Sequence, residues 1–333
     1  MAESRGRNGQ SLQRMMAGLG TAFSLAVFGA AIYALYRSLH EFQLADILHG
    51  ATQVAPAAVA LSILATAGSY LALSGFDWLA LRYINRELFV GRIVLASFIS
   101  HGISHSTGFG ALAGGAIRYR FYSAVGLSVM DVATVVLFCG LTFILGASTL
   151  AAVALAIEPE AFARLLSLPA GWVRMGAIAA AVAIAAYIVL GGLMRRPWRL
   201  FSRSLMMPRP KTALAQVLVA GLDLCCAAAA LFLLLPAAAD VSYPAFAGVY
   251  VLAILAGLIA HVPGGLGVFE TTVMVLVPGA PADTMFGALL VFRAVYFLLP
   301  LLLAAALLGV HEGRVRIQAL RRGEPVRRQP GDS

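Results

Sequence analysis

Charge is scarce in this 333-residue chain: 24 Lys and Arg and 15 Asp and Glu, together 12% of the residues. That is about half the roughly 25% of a soluble globular domain, and it excludes an ordinary water-facing surface. Cysteine is scarcer. Cys139, Cys225 and Cys226 all lie inside apolar stretches, with no C-x-x-C or Cys/His spacing. A disulfide framework and a zinc site are excluded, and the three read as small packing residues. No G-x-x-x-x-G-K-[ST] run occurs, so nothing here is built to cradle ATP phosphates. No metal or cofactor is expected. The longest polar stretch between apolar runs is 195–211, too short for an independent core.

What is abundant is hydrocarbon. Hydrophobic residues make up 61% of the chain and the mean hydropathy is +0.88. About 20 apolar residues suffice for a helix to cross a bilayer. Such runs lie at 17–36, 56–75, 128–156, 172–194, 213–235 and 285–310, with shorter or broken ones at 93–117, 245–260 and 266–277. The fold class is an all-α polytopic membrane protein, with about six to eight transmembrane helices and two Gly-broken or re-entrant segments. The first run follows Arg5, Arg7 and Arg14 and reads as a retained signal-anchor. The net charge of +9 does not point to nucleic acid, because the basic residues sit in short loops and at the ends.

Those basic residues orient the chain. Arg5, Arg7 and Arg14 place residues 1–16 in the cytoplasm, as do Arg82, Arg86 and Arg92 for the next-but-one loop and six basic residues for 195–211. Three apolar segments lie between those last two loops, so one does not cross. It is 93–117, a cytoplasmic re-entrant hairpin expected to turn in the glycines from Gly108 to Gly115. The Arg-rich tail, 311–333, is also cytoplasmic, so 245–277 must leave and return to the outer side, turning at Pro263-Gly264-Gly265. One hairpin would enter from each face, the arrangement of an inverted repeat. Residues 17–310 then form one transmembrane domain in a bacterial cytoplasmic membrane.

Both breaks carry ionisable residues. The first reads FISHGISHSTGFGALAGGAIRYRFY (98–122) and the second HVPGGLGVFE (261–270). Irregular backbone at membrane depth survives only where protein or a watery cavity satisfies it. Arg118 and Arg120 flank Tyr119 just after Gly114 and Gly115. Guanidinium matches phosphate in a bidentate fork, and a glycine-rich turn exposes N–H groups to an anion. The plainer alternative is interfacial snorkelling. His101 and His105 share a helical face but lack a third ligand, so pore-lining or structural roles suit them better than metal; His261 is equally ambiguous.

Asp223 and Arg293 lie deep in apolar runs, where an isolated charge costs at least about 2.5–3.5 kcal/mol. Glu270 or Asp223 paired with Arg293 is therefore the expected buried network. Asp77 and Asp131 lie at span ends, and Asp131 is within reach of Arg118 or Arg120.

At these residues the sequence resembles a known family. The runs SGFDWLALRYI (74–84), GFGALAGGAIRYRFYSAVGLS (108–128) and HVPGGLGVFE (261–270) are similar to the membrane region of lysylphosphatidylglycerol synthase/flippase proteins (MprF-like) and to stand-alone YbhN-like membrane proteins. The resemblance implies a lipid translocase. Its motif positions fall on Asp77, Arg82, Gly114, Gly115, Arg118, Arg120, Pro263, Gly264, Gly265, Gly267 and Glu270. The second membrane bundle and the aminoacyl-transferase domain of the fused proteins are lacking, so synthesis of lysyl-lipid by this chain is not expected.

The expected function is a flippase that moves a phosphate-bearing phospholipid, anionic or aminoacylated, between leaflets. Arg118 and Arg120 would hold the phosphate, and Glu270 and Asp223 would line the path. Two other classes stay open. One is an embedded transferase using Asp77, Asp131 or Glu270 as general base. The other is a non-catalytic partner of a separately encoded lipid synthase.

Overall fold

The computed structural model describes residues 54–106, 110–193, 198–200, 203–205, 207–260 and 263–321. The expected first span at 17–36, His261 and the arginines beyond residue 321 lie outside them. Among the described residues, five helical stretches are long and apolar enough to cross a membrane: Pro56–Tyr83, Val129–Ile157, Ala170–Leu193, Pro210–Phe232 and Ala282–Arg314. The fold is all-α and polytopic. A short antiparallel hairpin, β1 (Trp198–Leu200) with β2 (Arg203–Leu205), sits in the basic loop.

The order begins with α1 (Pro56–Tyr83), opened by proline in the first turn, where its missing N–H costs nothing. The short helices α2 (Val90–Ser104) and α3 (Gly110–Ser123) follow. At 1.5 Å per residue each rises about 21–23 Å, less than the roughly 30 Å of a hydrocarbon core. They pack against each other as a hairpin. Helix α2 ends at Ser104 and α3 begins at Gly110, so the later glycines Gly110, Gly114 and Gly115 do not break the chain but are helical, within α3. The reason is close packing. A Cβ on Gly114 would collide with Ser104 Oγ and stand 3.0 Å from Arg118 Nη1.

Next comes α4 (Val129–Ile157), started by a capping box in which Asp131 N–H donates to Ser128 Oγ and Ser128 N–H to Asp131. Short α5 (Pro159–Leu166) ends at Ser167 in the left-handed region. Then α6 (Ala170–Leu193) runs along the outside, with Trp172, Ile178, Val182 and Val189 exposed, as suits a lipid-facing helix. The helix α7 (Pro210–Phe232) packs along α1 and α4.

The second hairpin joins α8 (Tyr243–Ile259) to α9 (Val268–Leu276) through a 3₁₀ turn at Pro263–Gly265. Its glycines 264, 265 and 267 all have φ between 62° and 79°, a region closed to most side chains. Nine residues give α9 a rise of only about 14 Å. The last stretch is α10 (Ala282–Phe292), a π-helical segment (Arg293–Leu298) and α11 (Leu299–Arg321). Helix α11 thus carries the expected tail on as helix past residue 311.

Proline explains the π segment. Pro300 has no N–H and its ring crowds the carbonyl four residues back, which is that of Tyr296. That freed carbonyl accepts a hydrogen bond from Tyr70 Oη at 3.3 Å.

Among the described residues, beside a small cluster of Ala154, Phe162 and Val173, two large ones make most of the core. One gathers α7, α8, α9, α10 and the π segment around Phe246, Tyr250 and Phe292. The other gathers α1 to α4 with α11 around Phe76, Ile99 and Tyr122. Each hairpin is packed into its own cluster.

Candidate functional site

In the first hairpin, Arg118 on α3 and Asp77 on α1 form a forked pair. Arg118 Nε donates to Asp77 Oδ1 at 2.7 Å and Nη2 to Oδ2 at 2.8 Å. Asp77 is 0% and Arg118 4% exposed. Tyr122 Oη also donates to Asp77 Oδ1, at 2.9 Å. The His101 ring on α2 completes the shell. Its Nδ1 lies 2.9 Å from the Ser97 carbonyl, an acceptor only, so Nδ1 carries the proton. Nε2 then accepts from Arg118 Nη2 at 3.2 Å. Ser100 Oγ donates to the Gly114 carbonyl at 2.6 Å, tying α2 to α3. The fork edge of Arg118 is therefore taken by protein, whereas the sequence had offered it to phosphate.

The second hairpin repeats the chemistry. Arg293 Nε donates to Glu270 Oε1 at 2.5 Å, and Arg293 Nη1 donates to the Gly264 carbonyl. The Gly267 N–H donates to Glu270 Oε2 at 2.8 Å, so the carboxylate both caps α9 and holds the arginine. The guanidinium also lies over Phe297 at 4.6 Å, a cation–π contact. Arg293 is 7% exposed, and its Nη2 has no hydrogen-bond partner among the described residues. An open groove of about 520 Å³ runs beside this turn, from Leu266 and Gly267 along α9 to Leu276.

The two breaks meet. A Cβ on Gly264 would stand 3.2 Å from Arg293 Nη1 and 3.7 Å from the carbonyl oxygen of His105, which ends α2. The His105 ring stacks on Tyr296 at 6.1 Å and lies 5.7 Å from His101. The tip of each hairpin thus rests against the other.

The remaining expected residues are placed elsewhere. Asp223 does not join Arg293. It accepts from Ser69 Oγ at 2.5 Å, and Ser69 Oγ is 2.9 Å from Tyr296 Oη. Arg120 points to the middle of α11, where it pairs with Glu312. Asp131 caps α4 and is 4.0 Å from Arg86. Arg82 lies 4.1 Å over the Trp78 ring. Tyr119 is partly buried against the cluster of α1 to α4 and α11. No cluster of His, Cys, Asp and Glu among the described residues has the makings of a metal site.

Ser69, Ser97, Ser100, Tyr122, Tyr296 and Glu312 were missed from sequence. One signal was available: Ser62, Thr66, Ser69 and Asp77 fall four, three and eight residues apart, a polar stripe along one face of α1, and all four are buried.

Comparison with known proteins agrees with this architecture. Residues 19–304 match the family profile described as the lysylphosphatidylglycerol synthase TM region, and the chain belongs to that family. It is 31% identical over 292 residues to slr0712 of Synechocystis sp., covering 87% of this chain and 91% of that one. It is 30% identical over 247 residues to the inner membrane protein YbhN of Escherichia coli, covering 71% and 74%. A phosphatidylglycerol lysyltransferase of Staphylococcus aureus is 25% identical over 293 residues. That match takes in 87% of this chain but only 34% of the lysyltransferase. The chain is a multi-pass membrane protein of a lipid-related family.

Proposed function

We propose that this member of the lysylphosphatidylglycerol synthase membrane-region family is a translocase that moves a phosphate-bearing phospholipid between leaflets. Arg293 carries the reading. A guanidinium this deeply buried normally has every donor met, yet its Nη2 has none among the described residues. It stands at a glycine turn beside the N-terminus of α9, where backbone N–H groups favour an anion. A lipid phosphate oxygen fits that vacancy in chemistry, and the groove along α9 would take acyl chain.

Each residue has a part. Arg120, half-exposed beside Glu312, would meet the phosphate first, at the cytoplasmic end. Arg118 would hold the first hairpin through Asp77 and His101, and Gly264, Gly265 and Gly267 would shape the turn. An aminoacylated headgroup would find its counter-charge in Asp223. Both termini would lie in the cytoplasm of an inner membrane, and a separate synthase would supply any aminoacyl-lipid.

The transferase alternative is weaker on geometry. A general base needs an available lone pair, but Asp77 and Glu270 are each clamped by an arginine and Asp131 caps a helix.

The test is leaflet exchange of fluorescent phosphatidylglycerol and its lysyl form in liposomes holding the purified chain. Replacing Arg118 by alanine would strand Asp77 in the interior, so the variants to compare are Arg293→Lys and Arg120→Gln. Protein-dependent exchange, lowered at least tenfold by Arg293→Lys, is expected. Folded wild-type protein that exchanges no anionic or aminoacylated lipid would sink the translocase.

A further inference from the structure

The buried ionisable groups do not balance. Asp77 is matched by Arg118 and Glu270 by Arg293, while Asp131 sits at a helix start near Arg86. Asp223 is left over. It is the fourteenth of 23 residues in α7 and only 3% exposed, yet no cation pairs with it among the described residues. Bringing the lipid phosphate of the translocase reading to Arg293 would add a second negative charge to the same interior.

The surroundings of Asp223 are built for a proton. Tyr296 Oη, Ser69 Oγ and Asp223 Oδ1 form a continuous string with steps of 2.9 and 2.5 Å. Because Ser69 donates to Asp223, Tyr296 Oη is left to donate to Ser69, and the string points at the carboxyl. Its far end lies on the His105 ring, where the two hairpin tips meet, and His105 Nδ1 is buried with no partner among the described residues.

The groups facing Asp223 are few. The titratable side chains that feel its charge are Tyr70 from α1, Tyr250 from α8, Tyr296 from the π segment, and Cys225 and Cys226 on its own helix. From α6, Tyr187 reaches only Gln216, two turns earlier on α7. The helices α4 and α10 contribute apolar members of the second-hairpin core, Ala147, Leu150, Met285 and Ala288. Arg293 is committed to Glu270. Among the described residues no neighbour supplies a fixed positive charge free to pair with it, so a mobile one is needed.

We infer that Asp223 takes up a proton as the anionic lipid phosphate enters, so that translocation is coupled to the proton gradient. The proton arriving at Tyr296 Oη displaces that hydroxyl's own proton to Ser69 Oγ, and the Ser69 proton passes to Asp223 Oδ1. Both hydroxyls end unchanged and Asp223 becomes a neutral carboxylic acid. The interior then carries one negative charge with lipid bound, as it did with Asp223 ionised and no lipid. On release of the phosphate the steps run backwards. The inference rests on the translocase reading.

The test uses the full chain in liposomes of phosphatidylglycerol and phosphatidylethanolamine, with fluorescent phosphatidylglycerol as probe and a pH dye in the lumen. Phosphatidylglycerol has no amine, so a headgroup amine cannot stand in for the proton. In wild type, a pH step should drive the probe into one leaflet and a protonophore should abolish the effect. Asp223→Asn, a neutral isostere, should lose at least nine-tenths of that response; Ser69→Ala, which keeps the carboxyl, should slow it. Wild-type exchange indifferent to the pH step would overturn the inference, as would an Asp223→Asn response equal to wild type.

Infrared difference spectra separate the two readings. A carboxylic acid C=O band that grows with acidification and is missing in Asp223→Asn shows the proton site without any transport. Should that band titrate while no lipid moves, the translocase fails and the proton site stands. Should the band not titrate, coupling through Asp223 is wrong whatever the lipid does.

Discussion

Arg118 and Asp77, 41 residues apart in sequence, meet through two parallel hydrogen bonds of 2.7 and 2.8 Å with neither side chain open to solvent. The pair fastens the first hairpin to α1. Such a pair contributes little compared with apolar packing, but removing one partner leaves an uncompensated buried charge, at about 3–5 kcal/mol. Asp77→Asn and Arg118→Gln should each lower the melting temperature in detergent strongly. The double variant should melt well above the sum of the two losses, because it strands no charge. Additive losses would mean that the fork is incidental to the hairpin.

Gly114 and Gly115 are neighbours on α3, but only one is held tight. A Cβ at Gly114 meets Ser104 and Arg118, whereas at Gly115 it meets Val136 at 3.4 Å, ordinary contact. Gly114→Ala should cost about 1–3 kcal/mol by overpacking. Gly115→Ala should be neutral or slightly stabilising, since alanine is the better helix former by about 1 kcal/mol. Thermal melts of the two variants side by side decide it; equal effects would show that α2 and α3 are not in close contact at Gly114.

Much of this was legible in the sequence, for reasons that differ by element. Hydropathy located α1, α4, α6, α7 and the last helical stretch because each is a long apolar run with few charges. Charge parity marked 93–117 as the segment that does not cross, and the fold has two short helices there, α2 and α3. The turn was expected over too long a stretch, from Gly108 to Gly115, because glycines read as breakers, while Gly110, Gly114 and Gly115 are helical and Gly114 makes room for α2. Depth offered Arg293 either Glu270 or Asp223, and the fold takes Glu270. Asp223 could not be placed, since its partners Ser69 and Tyr296 are uncharged and sit in apolar runs. The π segment was likewise hidden, although Pro300 marked it.

Arg120 and Glu312 join α3 to the middle of α11, with side chains 36% and 25% exposed. At that exposure water and salt screen the pair, which is worth about 1 kcal/mol at most. Arg120→Gln should therefore leave the melting temperature almost unchanged. Its effect should appear in lipid exchange, as a lower rate at low salt that converges on wild type as added salt screens the attraction. A variant that melts early and shows no salt-dependent difference would make Arg120 a structural clasp and remove it from the lipid path.

Pro300 widens the helix at Arg293–Leu298 by withholding an N–H from the Tyr296 carbonyl. That carbonyl then takes the Tyr70 hydroxyl, while the Tyr296 side chain faces Ser69 and His105. Pro300→Ala returns the N–H, so the segment should tighten toward an ordinary α-helix and the Tyr70 bond should be lost. Tightening from π to α rotates everything beyond it, which would pull the Tyr296 ring off His105 and loosen the Arg293 contact with Glu270. Removing a proline from a helix favours folding while the loosened Arg293 pair opposes it, so the variant's melting temperature should change little. Its lipid exchange should nevertheless fall, by roughly the factor that Arg293→Lys produces. Full exchange in a well-folded Pro300→Ala protein would show that the widened turn is a passive consequence of the proline and that Arg293 is set in place by Glu270 and Gly264 alone.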